Sequence, residues 1–131
     1  MNPTTKSLIL KAQDCLDIAK KDLADEGQHD AVGYNLAQAT EFLLKALCAM
    51  REIEIPHGAE SHDLDFLMET LEENNLAAVS SHADVIDLTP YNSATSKVRR
   101  SERLNLGEYF DHVEELKKLV GQMALIEPPR P

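Results

Sequence analysis

Tryptophan is absent from this 131-residue chain, and tyrosine and phenylalanine occur only three times each. A core with so few rings must be aliphatic, drawn from Leu, Ile, Val, Ala and Met, and that composition suits helices packed on helices. No apolar run approaches the roughly 18 residues that a membrane-spanning helix requires, which excludes such a span. Met1 to Ser7 is polar and lacks a following run of small and apolar residues, so no secretory leader is read there and a cytoplasmic location is expected. Cysteine occurs twice; Cys15 and Cys48 fall on apolar helical faces and read as buried small hydrophobes in a reducing compartment. Positive charge is scarce, with 13 Lys and Arg against 23 Asp and Glu and a formal net charge of −10. Such an excess repels nucleic-acid backbone in general, so any phosphate site must be a local basic island. Strand-like alternation and any repeat of solenoid period are also missing.

What is present is helical periodicity. At this length the chain reads as a single domain over 1–131, large enough to bury about two-thirds of the surface its unfolded form exposes, with a frayed tail from about 127. The strongest signal is Tyr34 to Leu47. Leu36, Ala39, Phe42, Leu43, Ala46 and Leu47 share one helical side, and Glu41 and Lys45, four apart, can pair on its flank.

A first helix is predicted from about Thr5 to Glu26, opened by Asn2-Pro3 and stopped by Gly27 in left-handed geometry. A second runs from near Asp30 to about Glu54, ended by Pro56. The short link makes the two antiparallel neighbours. A third, shorter helix follows the capping groups Ser61-His62-Asp63 and ends near Glu73. A weaker pattern covers Leu76 to Leu88, and the polar stretch Tyr91 to Ser96 reads as the most mobile segment. The last helix begins near Asn105, with Glu108 completing a capping box. The fold class is all-α, an up-and-down bundle of four main helices plus one shorter helix.

Four of the 13 Lys and Arg residues, Lys97, Arg99, Arg100 and Arg103, crowd into seven positions just before that last helix. Guanidinium groups there suit bidentate hydrogen bonds to phosphate oxygens, and a helix N-terminus lies just behind. Ordinary charge pairing with the acidic third helix or a partner subunit is the competing reading. His57, Glu60, His62 and Asp65 are metal-donor types, yet their spacing matches no zinc or di-iron pattern, so neither a metal nor another cofactor is expected.

The run Ala39-Thr40-Glu41-Phe42-Leu43-Leu44-Lys45-Ala46-Leu47, followed by His62-Asp63-Leu64 at the next helix, resembles the HEPN (higher eukaryotes and prokaryotes nucleotide-binding) domain family. Asp22-Leu23 and Asp30-Ala31 also resemble family positions, and the likeness covers roughly residues 5 to 126. It implies a helical bundle that is often dimeric, in small cytoplasmic proteins frequently paired with a minimal nucleotidyltransferase in a toxin–antitoxin arrangement. Active members are metal-independent ribonucleases that use Arg, four to six residues, then His, late in the chain.

Here the late arginines are followed by His112, nine residues beyond Arg103. Arg51 and His57 have the literal spacing but lie at the end of the second helix, away from the family's active-site position. The resemblance places His62 at a helix start facing the cleft, and local capping by Ser61 or Asp63 is its competing role. Glu41 and Lys45 read as a structural pair. The expected function is therefore a non-catalytic homodimeric module that binds a nucleotide or RNA phosphate, a nucleotidyltransferase partner, or both. A ribonuclease toxin with an irregular Arg/His site is the alternative.

Overall fold

The computed structural model describes residues 2–55, 63–74, 76–93, 98–99 and 102–126. They form an all-α bundle: α1 (Pro3–Asp22), a 3-10 turn (Glu26–Gln28), α2 (His29–Met50), α3 (Leu64–Glu73), a long 3-10 segment (Ala77–Tyr91) and α4 (Leu106–Ile126). Among the described residues there is no strand.

The α1 helix opens as its first residues dictate. Pro3 occupies the first turn, where its missing N–H costs nothing, and the Asn2 side chain accepts the Thr5 N–H at 2.7 Å. Asn2 also donates to the Ala49 carbonyl at the far end of α2, which fixes the two helices as antiparallel. The end differs from expectation. Helix α1 stops at Asp22 rather than Glu26, and Gly27 does not stop it. Gly27 instead sits in the 3-10 turn, where Asp25 accepts its N–H at 2.9 Å.

The α2 helix is buried on nearly every side. Leu36, Ala37, Ala39, Leu43, Leu44, Ala46, Leu47 and Cys48 are all at 0% exposure, so it forms the axis that the other elements cover. Phe42 is only partly buried, with the Lys11 ammonium 5.9 Å from its ring centre. Cys15 and Cys48 are free thiols, and burial holds the Cys48 thiol up at about 11, so it stays protonated and unreactive.

Pro56 does not end this helix; a Schellman motif does, before the proline. Glu52 takes a left-handed φ of 56°, the Ile53 N–H returns to the Cys48 carbonyl at 2.9 Å and the Glu52 N–H to Ala49 at 3.4 Å. Only glycine holds that backbone without a Cβ penalty of about 1 kcal/mol. Glu52→Gly is therefore expected to be more stable than Glu52→Ala by about 1 kcal/mol in denaturant unfolding, a comparison in which both variants lose the same side chain.

Asp63 caps α3, accepting from Asp65 and Phe66 N–H groups, and the helix runs to Glu73 as its pattern predicts. The segment Ala77–Tyr91 is 3-10 rather than α-helical. Its buried residues fall three apart: Leu76, Val79, Val85, Leu88 and Tyr91, with His82 in the vacant place. Side chains eclipse every third residue in a 3-10 helix, so this stripe is continuous there and would spiral away on an α-helix. His82 interrupts the stripe and carries the non-helical φ of −110° that kinks the segment.

Tyr91 and Asn92, expected at the start of a mobile stretch, are instead anchored. Tyr91 is 1% exposed, and Asn92 donates to Glu41 and accepts from Gln38. Asn105 caps α4 by accepting the Glu108 N–H at 3.3 Å. The Glu108 carboxylate, instead of closing the capping box, lies 3.6 Å from His112 one turn on.

Candidate functional site

The turn after α1, the first turn of α2 and the entry to α4 meet around a cleft of about 350 Å³. Asp25 and Glu26 form one rim, His29 and Val32 project from α2, and Arg103 to Gly107 form the opposite wall. A cleft of this volume is at the lower end of small-ligand sites. Two helix starts border it. The His29 N–H at the start of α2 is taken by the Glu26 carbonyl and the Glu108 N–H at the start of α4 by Asn105, so what the two helix starts bring to its edge is the positive ends of their dipoles.

Local packing explains why these walls hold their positions. The Tyr91 ring lies flat on α2 at Gly33: a Cβ added there would fall 2.1 Å from the Tyr91 ring carbon Cδ1. The ring also meets His29 edge to face, with centroids 5.5 Å apart. Its hydroxyl stands 2.8 Å from His29 Nε2 and accepts the Leu104 N–H at 3.1 Å. One buried phenol therefore ties the start of α2 to the residue beside Arg103. Lower down, Tyr109 donates to Asp87 at 2.6 Å and links α4 to the 3-10 segment.

The cleft is mixed in charge. Burial, then the Arg103 guanidinium, lower the His29 pKa below its ordinary value, against the opposing pull of Asp30 and Glu26. The Asp25 carboxylate is engaged by the Gly27 N–H. Among the described residues neither Arg99 nor Arg103 enters an ion pair, so no salt bridge to the acidic α3 occupies them.

The other predicted residues scatter. Arg99 is exposed, its carbonyl accepting the Glu102 N–H, and is not on the cleft wall. Lys97, Arg100, His57 and His62 lie outside the described residues. Arg51 is the C-cap of α2, at the opposite end from His29 and about 30 Å away at 1.5 Å per residue. His112 lies two turns into α4 and is absent from the cleft lining.

Glu41 and Lys45 do meet, at 2.8 Å with side chains 3% and 15% exposed, and Asn92 and Gln38 extend the pair into a part-buried polar chain. Thr5 Oγ1 is the buried polar atom without a partner among the described residues. No group of three or more potential metal ligands converges among the described residues. No helix formed by the described residues is long and apolar enough to cross a membrane.

Sequence reasoning missed His29 and Tyr91. They are 62 residues apart, and only their contact across the fold makes them a unit. The period of three leading to Tyr91, and a glycine in the second turn of an otherwise uninterrupted α2 pattern, are the two signals that point to a ring packed on a helix backbone.

Comparison with known proteins supports the same fold. The family model described as HEPN domain matches residues 5–123. No curated protein and no solved structure matches the chain significantly.

Proposed function

The chain belongs to the HEPN domain family, and from that premise we propose that it is a non-catalytic module binding a nucleotide or RNA phosphate in the cleft beside Arg103. The observation that carries the reading is the position of Arg103. It stands without an ion-pair partner among the described residues, on the wall of a cleft bordered by two helix starts. A guanidinium so placed offers a fork of donors to phosphate oxygens, and neighbouring amides can take the remaining ones. Arg99 lies four residues before Arg103 in the chain, exposed and off the cleft wall, so Arg103 is the cation the reading rests on.

Binding rather than cleavage is favoured because Arg51, the arginine of the nuclease-like Arg51/His57 spacing, caps the end of α2 opposite the cleft. The proposal includes a homodimer and a minimal nucleotidyltransferase partner, as the family resemblance implies.

Titrating the chain with nucleoside monophosphates and short single-stranded RNA tests the binding reading. Saturable binding is expected, weakening on added salt. Arg103→Ala should lower affinity about tenfold to a hundredfold, the range for a lost charge-assisted hydrogen bond. Equal affinities for the wild-type chain and Arg103→Ala, or no saturation, would overturn it.

A further inference from the structure

His29 does more than line the cleft. A tyrosine hydroxyl has one proton to give and an oxygen that accepts. With His29 neutral, the Tyr91 hydroxyl donates to Nε2 at 2.8 Å while its oxygen takes the Leu104 N–H at 3.1 Å, and the remaining ring proton sits on Nδ1. With His29 protonated, Nε2 becomes a donor and the hydroxyl must turn its own proton away. Tyr91 is 1% exposed, so that proton has no water to turn towards. The geometry of this hydrogen-bond pair thus favours the neutral ring. The surrounding charges are divided: Arg103 opposes a cation on the ring, Asp30 and Glu26 favour it, and Asp25 stands on the same rim.

Resting on the reading of this cleft as a phosphate site, we propose that His29 takes up a proton when an anion enters, so that phosphate binding here is proton-linked and tightens in acid. Added negative charge joins that of Asp30 and Glu26 and offsets both the Arg103 repulsion and the cost of leaving the Tyr91 hydroxyl proton without an acceptor. By linkage, the anion binds the protonated form more tightly by the same factor by which it raises the imidazole's proton affinity. Burial and Arg103 hold the imidazole below the ordinary histidine value, and a bound anion would raise it. Affinity therefore strengthens as pH falls between those two values and is level on either side.

Sulfate is the suitable probe, because its own charge is constant between about pH 5 and pH 8 and any pH dependence belongs to the protein. Binding is read from backbone amide and imidazole resonances at constant ionic strength. Sulfate should bind about fivefold to tenfold more tightly at pH 5.5 than at pH 8, with the His29 resonances titrating at higher pH when sulfate is present. His29→Gln, whose amide can still meet the Tyr91 hydroxyl, should show a flat profile over the same range. Equal sulfate affinity at both pH values in the wild-type chain overturns the linkage and leaves the phosphate site standing. Unmoved cleft amides with no saturation at either pH overturn the inference and the phosphate reading together.

Discussion

Gly33→Ala is expected to destabilise the protein by about 3 kcal/mol, opposite in sign to the usual effect of removing a glycine from a helix. Mid-helix glycine ordinarily costs about 1 kcal/mol relative to alanine, so the substitution alone should stabilise. Here the new methyl would lie 2.1 Å from Tyr91 Cδ1 and 2.6 Å from Cγ, a contact that neither a buried ring nor a helix backbone can absorb in place. Overpacking of this kind costs about 1 to 3 kcal/mol, and displacing the ring adds much of the cost of losing a buried aromatic, about 3 to 5 kcal/mol. The steric term wins.

For a domain of this size the loss corresponds to roughly 10 °C or more in Tm. The displaced phenol also releases His29 and the Leu104 N–H, so ligand affinity at the cleft should fall with stability. A double-mutant cycle checks the cause. On a Tyr91→Ala background the ring is gone, and Gly33→Ala should become neutral or stabilising. If its cost persists there, the ring contact is not what the glycine serves.

Lys45→Met is the second large expectation, at about 2 to 4 kcal/mol of lost stability. Glu41 is 2% exposed and holds its carboxylate between the Lys45 ammonium at 2.8 Å and the Asn92 amide at 3.0 Å. An exposed pair four apart on a helix contributes only about 0.3 to 0.5 kcal/mol, but removing one member of a buried pair leaves a desolvated charge behind. Adding Glu41→Gln to Lys45→Met should recover most of the loss, since the glutamine carbonyl still accepts from Asn92 and carries no charge. Chemical denaturation of the two single variants and the double variant reads this directly. A double variant as unstable as the sum of the singles would show that charge burial is not the controlling term.

Much of this architecture is legible in the sequence because it rests on short-range rules. The apolar periods of α1, α2 and α4 repeat every three or four residues, and the cap residues Asn2, Asp63 and Asn105 act within three positions of themselves. Errors arose where a local signal had a stronger competitor. Pro56 was the obvious stop for α2, yet Glu52 accepted a left-handed backbone so that Ile53 could return to Cys48. Gly27 was the obvious stop for α1, yet the Asp25 side chain organised a 3-10 turn there first.

The pattern from Leu76 to Leu88 reads as weakly α-helical, whereas the buried residues of the 3-10 segment that ends at Tyr91 repeat every three. Its polar continuation then concealed that Tyr91 and Asn92 are held by α2. Arg103 was visible as part of a basic run, but its companion His29 was not. Nothing within either neighbourhood announces a contact made through a tyrosine between them.

The central claim, that the cleft between the starts of α2 and α4 is the working site and that it binds without cleaving, is tested most directly by amide chemical-shift mapping with short single-stranded RNA in metal-free buffer. The account predicts shifts concentrated at His29, Arg103, Leu104 and Gly107, and RNA recovered intact after the titration. Shifts concentrated instead around Arg51 at the far end of α2, or cleavage of the RNA during the experiment, would contradict it.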